Sequence, residues 1–401
     1  MAGSPRPPQT VAVAASTSRP PPWRNVRVLR VLGQVVFVAL LAVVAWQAFL
    51  NLEYGVRQQN LDLSFDFLRQ RAGFAIKEGI GYSPNESFLN AYVVGVVNTL
   101  RIALIGIVLA TILGLIMGIA RLSSNWLVRR SAQVYVEIFR NTPVLVQIIF
   151  WYVAVVLALP AIEGGLSLGG LVFVSNRGTA VAWFRPEDGA GMWALFVAAG
   201  VVAGVLAWRW RTRVDERTGW PAARMPWAAG AFLLVAVGGF LLSGSPLAAD
   251  VPEPGRFGYD GGLQVSPEYT ALLLGLVVYT GAFITEIVRG SIQAVPKGQK
   301  EAAEALGLSP RQQLRFVVLP QALRVAIPPL NNQYLNLTKN SSLALAIGYP
   351  EIVSVTNTII NQAARATQML LLVMGTYLLM TLSISAVMNA INRAVTRKGR
   401  R

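Results

Sequence analysis

The chain has 401 residues, of which 54% are hydrophobic and only 13% charged, with 35 Lys and Arg against 19 Asp and Glu. That balance describes a chain whose surroundings are mostly lipid, and its basic residues are scattered between apolar runs rather than gathered into the continuous patch that nucleic acid requires. Cysteine and histidine are absent, which removes disulfides, thiol nucleophiles, imidazole bases and nearly all transition-metal chemistry.

A helix rising about 1.5 Å per residue needs roughly 20 residues to cross a hydrocarbon core about 30 Å thick, so charge-free runs mark the spans. Residues 1–30 come first, with Pro5, Pro7, Pro8 and Pro20 to Pro22 among small residues, and read as a disordered cytoplasmic tail. Charge-free runs then cover 31–52, 102–120, 141–162, 189–208, 225–249, 269–285 and 366–392. An eighth candidate, 325–347, is interrupted by Lys339. The basic stretch 393–401 ends the chain.

Each crossing swaps the side of the following loop, so charge decides whether 325–347 spans. With eight crossings and a cytoplasmic start, the inside segments hold 24 Lys and Arg against 4 Asp and Glu. If 325–347 did not cross, the tail 393–401 with its five basic residues would lie outside. The reading is therefore an all-α polytopic membrane protein of about eight transmembrane helices, with both termini cytoplasmic.

A polar group at mid-bilayer costs about 2.5–3.5 kcal/mol unless it faces protein or water. The eighth segment is the richest in such groups. Asn332, Asn336 and Asn340 lie four apart and share one helical face, with Lys339 beside it. Pro328 and Pro329 remove two backbone donors and are expected to break or kink the helix. This face reads either as the wall of a solute pathway or as a buried seam bonded to neighbouring helices. Glu137 and Arg140, and likewise Glu286 and Arg289, sit three apart near inner helix ends; each pair is a pathway candidate, an intrahelical ion pair, or a snorkelling pair. Arg101, near an outer end, reads as snorkelling.

The loop 289–324 contains KGQKEAAEALGLSP, two helical turns too short to span anything. EAAEAL favours helix, and Gly307 can take the left-handed conformation that ends one. Ser309, Pro310 and Gln312 make a capping box for a second helix from Arg311 to Leu319, with Pro320 after it. Ala302, Ala305 and Leu306 form a small apolar face suited to close approach in another protein's groove.

These residues resemble a family. Glu301-Ala302-Ala303, Gly307 and Val317-x-Leu319-Pro320 look like the cytoplasmic loop signature of membrane subunits of bacterial ATP-binding cassette importers, with valine where isoleucine is common. YVEIFRNTPVLVQ, TGAFITEIVRGSIQAVPKGQ, LPQALRVAIPPLNNQ and LTKNSSLALAIGYPE are similar to polar amino-acid permeases, especially the larger permeases of general L-amino acid and glutamate/glutamine/aspartate/asparagine importers.

The resemblance implies an inner-membrane permease without catalysis of its own, built of a first helix with an outside segment (31–91), a core in two parts (92–160 and 268–392) and an inserted pair of transmembrane helices (161–267). Glu301, Ala302, Ala303, Gly307, Leu319 and Pro320 would couple it to a dimer of ATPase subunits, which would bind the ATP and Mg. A second permease subunit, a periplasmic or extracellular amino-acid-binding protein, membrane lipid and the amino acid itself are the implied partners; the outside segment 51–91 is long enough to touch such a binding protein, and a lid or a disordered loop would look the same. One feature of the sequence agrees independently: it has no G-x-x-x-x-G-K-[ST] phosphate loop. The rival reading is an ion-coupled secondary transporter, which would use membrane carboxylates and broken helices but leaves the helix pair unexplained.

Overall fold

The computed structural model describes residues 26–58, 64–218, 224–255 and 258–397. The proline-rich start through residue 25, the tip of the arginine-rich loop at 219–223 and the last four residues of the basic tail lie outside them. The chain divides into two units, Met1–Phe65 and Asp66–Arg401. In the first, α1 (Val26–Gln58) is one helix whose stretch 28–51 is long and apolar enough to cross a membrane, matching the expected span at 31–52.

In the second unit, α2 (Phe88–Ala120), α5 (Ala190–Thr218), α6 (Arg224–Leu242), α7 (Pro267–Gln293) and α12 (Ala366–Arg397) also meet that test. Six described helices qualify, and eight if two bent pairs each count as one span. The first bent pair falls on the span expected over 141–162. There α3 (Trp126–Asn141) turns by 105° into α4 (Val144–Phe150), which a widened π-turn extends from Trp151 to Val156. Pro143 explains the corner: its ring pushes Thr142 into extended backbone, φ −104° and ψ 132°.

The second bent pair is the polar eighth segment. Here α10 (Leu319–Asn340) runs on through Pro328 and Pro329, so of the break or kink expected there the break does not occur. The chain tightens instead over Ser341–Ile347 and turns at Gly348, whose φ of +79° suits a residue without Cβ. Glu351 then caps α11 (Ile352–Ala363), accepting a hydrogen bond from the Ser354 N–H at 2.8 Å.

Close packing of α2 on α7 organises the core. Gly106, Ala110, Gly114 and Gly118 fall four apart on the buried face of α2, and small residues at this spacing let helix backbones approach. A Cβ on Gly118 would lie 2.7 Å from Val288, and Gly114 meets Ile284 as closely. Ile102, Leu272, Leu276, Ile284, Leu337 and Tyr349 fill the centre of the resulting bundle.

The segment 161–267 holds its two long helices, α5 and α6, but its loops also form short strands. β1 (Leu166–Leu168), β2 (Val172–Ser175) and β3 (Gly178–Val181) pair antiparallel in order, and β8 (Leu263–Val265) joins the β3 edge just before α7. β4 (Trp183–Pro186) pairs with β5 (Leu247–Asp250), closing the chain on either side of the α5–α6 hairpin. β6 (Glu253–Pro254) and β7 (Tyr259–Asp260) make a third small ladder.

Candidate functional site

The two ends of α7 carry the two features of interest. At its C-terminal end lies the expected helix pair. α8 (Lys297–Ala305) ends in a Schellman turn: Leu308 N–H donates to the Ala303 carbonyl at 3.1 Å and Gly307 N–H to the Glu304 carbonyl at 2.8 Å. Gly307 has φ +74°, the left-handed conformation its sequence position suggested. Ser309 and Gln312 form the expected capping box around α9 (Pro310–Gln313). The second helix is not separate, however. A π-turn over Leu314–Val318 carries it straight into α10, and Pro320, which has no N–H to donate back along the helix, follows directly after that widened turn.

Of the expected docking residues, Ala303 is buried, while Glu301, Ala302 and Gly307 are exposed. Leu306, at the tip, is 81% exposed. Leu319 is exposed and Pro320 half-buried. Val295, Val318 and Ala322 form a small apolar cluster that holds the loop to the ends of α7 and α10.

On α10 the expected polar face is real. Asn332, Asn336 and Lys339 are exposed and Asn340 is half-buried, while Tyr334, Leu337 and Thr338 turn inward. The Tyr334 hydroxyl meets that of Thr111 on α2 at 2.9 Å. Glu286 pairs with Arg289 at 2.7 Å, as the spacing suggested, and also with Arg121 on α2 at 3.0 Å. Glu137 and Arg140 do not pair with each other: Glu137 accepts from Gln133 at 2.7 Å, and Arg140 lies 5.0 Å from the centre of the Phe283 ring. Thus Arg140, over Phe283, reaches α7 within one turn of Glu286, whereas the asparagine face stands apart on α10.

At the N-terminal end of α7 lies a cavity of about 780 Å³ that the sequence reading missed. Three distant segments line it: 75–78, the inserted residues 176–179 with β8, and the start of α7 with Gly348 and Pro350. Glu78 lines it with a side chain only 9% exposed. Burial raises its carboxyl above the usual range, with Ser266 and Arg101 partly opposing. Arg101 does not snorkel; its guanidinium stands 4.0 Å from Glu78 and 5.4 Å from the centre of the Tyr269 ring. Glu268 accepts from the Tyr152 hydroxyl at 2.9 Å. The local signal was Ser266-Pro267-Glu268, a helix start with an acid in its first turn, but nothing in it announces a cavity. Among the described residues, no group of three or more acidic side chains could hold a metal ion.

A family model described as binding-protein-dependent transport system inner membrane component matches residues 222–401. The general L-amino acid transport system permease protein AapQ of Rhizobium johnstonii is 43% identical over 367 residues, 90% of each chain. The chain belongs to this family of inner membrane components. Another of its permeases, the glutamate/glutamine/aspartate/asparagine transport system permease protein BztB of Rhodobacter capsulatus, is 38% identical over 403 residues, covering 91% of this chain and 93% of its own. A crystal structure of an amino acid ABC transporter with histidines aligns over 77% of this chain and 95% of that one, at 18% identity and a TM-score of 0.46. As an inner membrane component, the chain is a multi-pass membrane protein whose relatives are transport permeases rather than enzymes.

Proposed function

We propose that the chain is the translocating subunit of an ATP-driven importer for polar or charged L-amino acids. The observation that carries this reading is the Schellman turn at 303–308, with Leu306 exposed at its tip, held to α7 and α10 by a few apolar contacts. An ATPase subunit that grips Leu306 and the alanines would move the ends of two membrane helices at once. α7 has 27 residues, about 40 Å of helix, so a displacement at its cytoplasmic end is carried rigidly to the cavity at Glu268. That lever is what alternating access needs: one end moved by nucleotide, the other opening or closing a polar entrance.

On this reading ATP and Mg are held by the ATPase pair, and the chain moves no proton or bond. A second permease covers the exposed Asn332, Asn336 and Lys339, because such groups are costly against lipid. Substrate then passes along that covered face, with Glu137, Arg140, Asn340 and Glu286 as further pathway candidates. A soluble binding protein delivers it near 64–87. The insertion 161–267 stays peripheral to the coupling helices. The test is amino-acid uptake into vesicles holding this chain, its ATPase, a second permease and a binding protein. Uptake that needs ATP and survives collapse of ion gradients supports the proposal; uptake by this chain alone that collapses with the gradient sinks it.

A further inference from the structure

Around the cavity at the start of α7, the side-chain oxygen of Asn176 and the Tyr259 hydroxyl are buried without a hydrogen-bond partner, and the buried Glu78 carboxylate, which faces the hydroxyl and N–H of Ser266, makes no close hydrogen bond. Buried acceptors left unpaired cost about 1–3 kcal/mol each, more when charged, so acceptors gathered around one space favour a donor brought in from outside. The nearest cation, Arg101, reaches Glu78 only at 4.0 Å.

The charges on the lining are ordered. Glu78 and Glu268 are drawn into the wall, whereas Lys77 and Arg177 are exposed at its edge. Two acids and two bases leave the lining neutral overall but separate its charge by depth. Asn176 and Arg177 form the two-residue turn between β2 and β3, where Ser175 pairs with Gly178. That turn is firmly set. The Arg177 N–H donates to the Ser175 hydroxyl at 3.2 Å, the Asn176 N–H donates to the Pro160 carbonyl at 3.1 Å, and Gly178 takes φ +127° where a Cβ would strike the Val265 carbonyl.

We infer that this cavity is a subsite for a free L-amino acid, its ammonium group held by Glu78 and Asn176 and its carboxylate by Arg177 and Lys77. The inference rests on the permease reading and adds a role for the inserted segment, which supplies half of the site. An ammonium brings three donors to the orphaned acceptors, and the neutral lining suits a zwitterion. The cavity grips only the head group, and about 780 Å³ leaves room for varied side chains. Its place at the far end of α7 from the helix pair makes it a waiting position before translocation.

The test uses the permease pair with its ATPase in nanodiscs, without binding protein, and radiolabelled L-glutamine and L-glutamate as probes. At least one probe binds saturably; Glu78→Gln and Arg177→Gln weaken it tenfold or more, and Arg177→Lys restores most of the loss. N-acetyl-L-glutamine, which lacks the ammonium, does not compete. Asn176→Ala keeps the backbone hydrogen bond that sets the turn and removes only a side-chain oxygen without a partner in the protein, so it weakens binding without lowering the melting temperature, which separates a lost contact from a lost fold. Absence of binding, unchanged affinity in Glu78→Gln and Arg177→Gln, or full competition by the acetylated compound overturns the subsite. ATP-dependent uptake by the complete importer reports separately: if it persists while these tests fail, the permease reading stands without the subsite.

Discussion

Asn98 and Pro350, 252 residues apart in sequence, are joined by a hydrogen bond of 2.9 Å from the Asn98 side-chain amide to the Pro350 carbonyl. The same amide nitrogen donates to the Glu78 carbonyl at 3.0 Å. One fully buried side chain thus ties α2 to the segment 75–78 and to the joint between α10 and α11. Asn98→Ala leaves two carbonyls unpaired and is expected to cost on the order of 3 kcal/mol, read as a lower melting temperature of the purified permease. Asn98→Asp, which cannot donate when ionised, does no better.

Gly307 has open space around its missing Cβ, so any side chain there is resisted by the backbone alone. Holding an L-residue in this left-handed conformation costs roughly 1–2 kcal/mol. Gly307→Val is expected to distort the turn and reduce ATP-driven uptake severalfold, while Gly307→Asn, tolerated at this helix position, keeps most activity. Equal uptake by Gly307→Val and the parent would remove the turn from coupling.

Leu306 contributes almost nothing to the core, so Leu306→Asp leaves the melting temperature within a degree or two. Its effect falls on assembly. Co-purification with the ATPase is expected to drop tenfold or more, because a charge placed in an apolar groove is left without a partner.

Substitutions on the exposed face of α10 distinguish a pathway wall from a lipid-facing surface. Replacing Asn332, Asn336 or Lys339 with Leu on a lipid-facing surface preserves uptake and improves insertion. On a face that lines the pathway the same changes lower uptake or alter selectivity while the protein folds normally. The second outcome is expected, and uptake competition among amino acids measures it.

Glu78 gives stability a pH dependence. Its carboxyl is raised by burial, so the folded state favours the protonated form: the stabilisation is present below the ordinary carboxylate value and is lost as pH rises through the raised one. Arg101, Lys77 and Glu268 and the hydroxyls of Tyr269 and Tyr349 surround this change, and Glu78→Gln removes the charge among them. The variant is therefore expected to gain thermal stability over the parent at neutral pH and to lose that advantage below about pH 4.5. Parallel melting curves of the two proteins across pH 4 to 8 would expose this, and a constant difference would contradict it.

What the sequence determined by itself is local or periodic. The spans follow from runs of apolar residues, and the Schellman turn and capping box follow from Gly307, Ser309 and Gln312, because those hydrogen bonds reach only three to five residues. The glycine stripe on α2 was equally open to reading at its four-residue spacing. Tertiary structure decided the rest. Whether Arg140 meets Glu137 or Phe283, and whether Arg101 snorkels or faces Glu78, depends on which helix packs alongside. The cavity joins residues from 75–78, 176–179 and 264–268, and no spacing rule connects them. They are brought together by close packing of helix on helix and by strand pairing across the insertion, interactions that act through space.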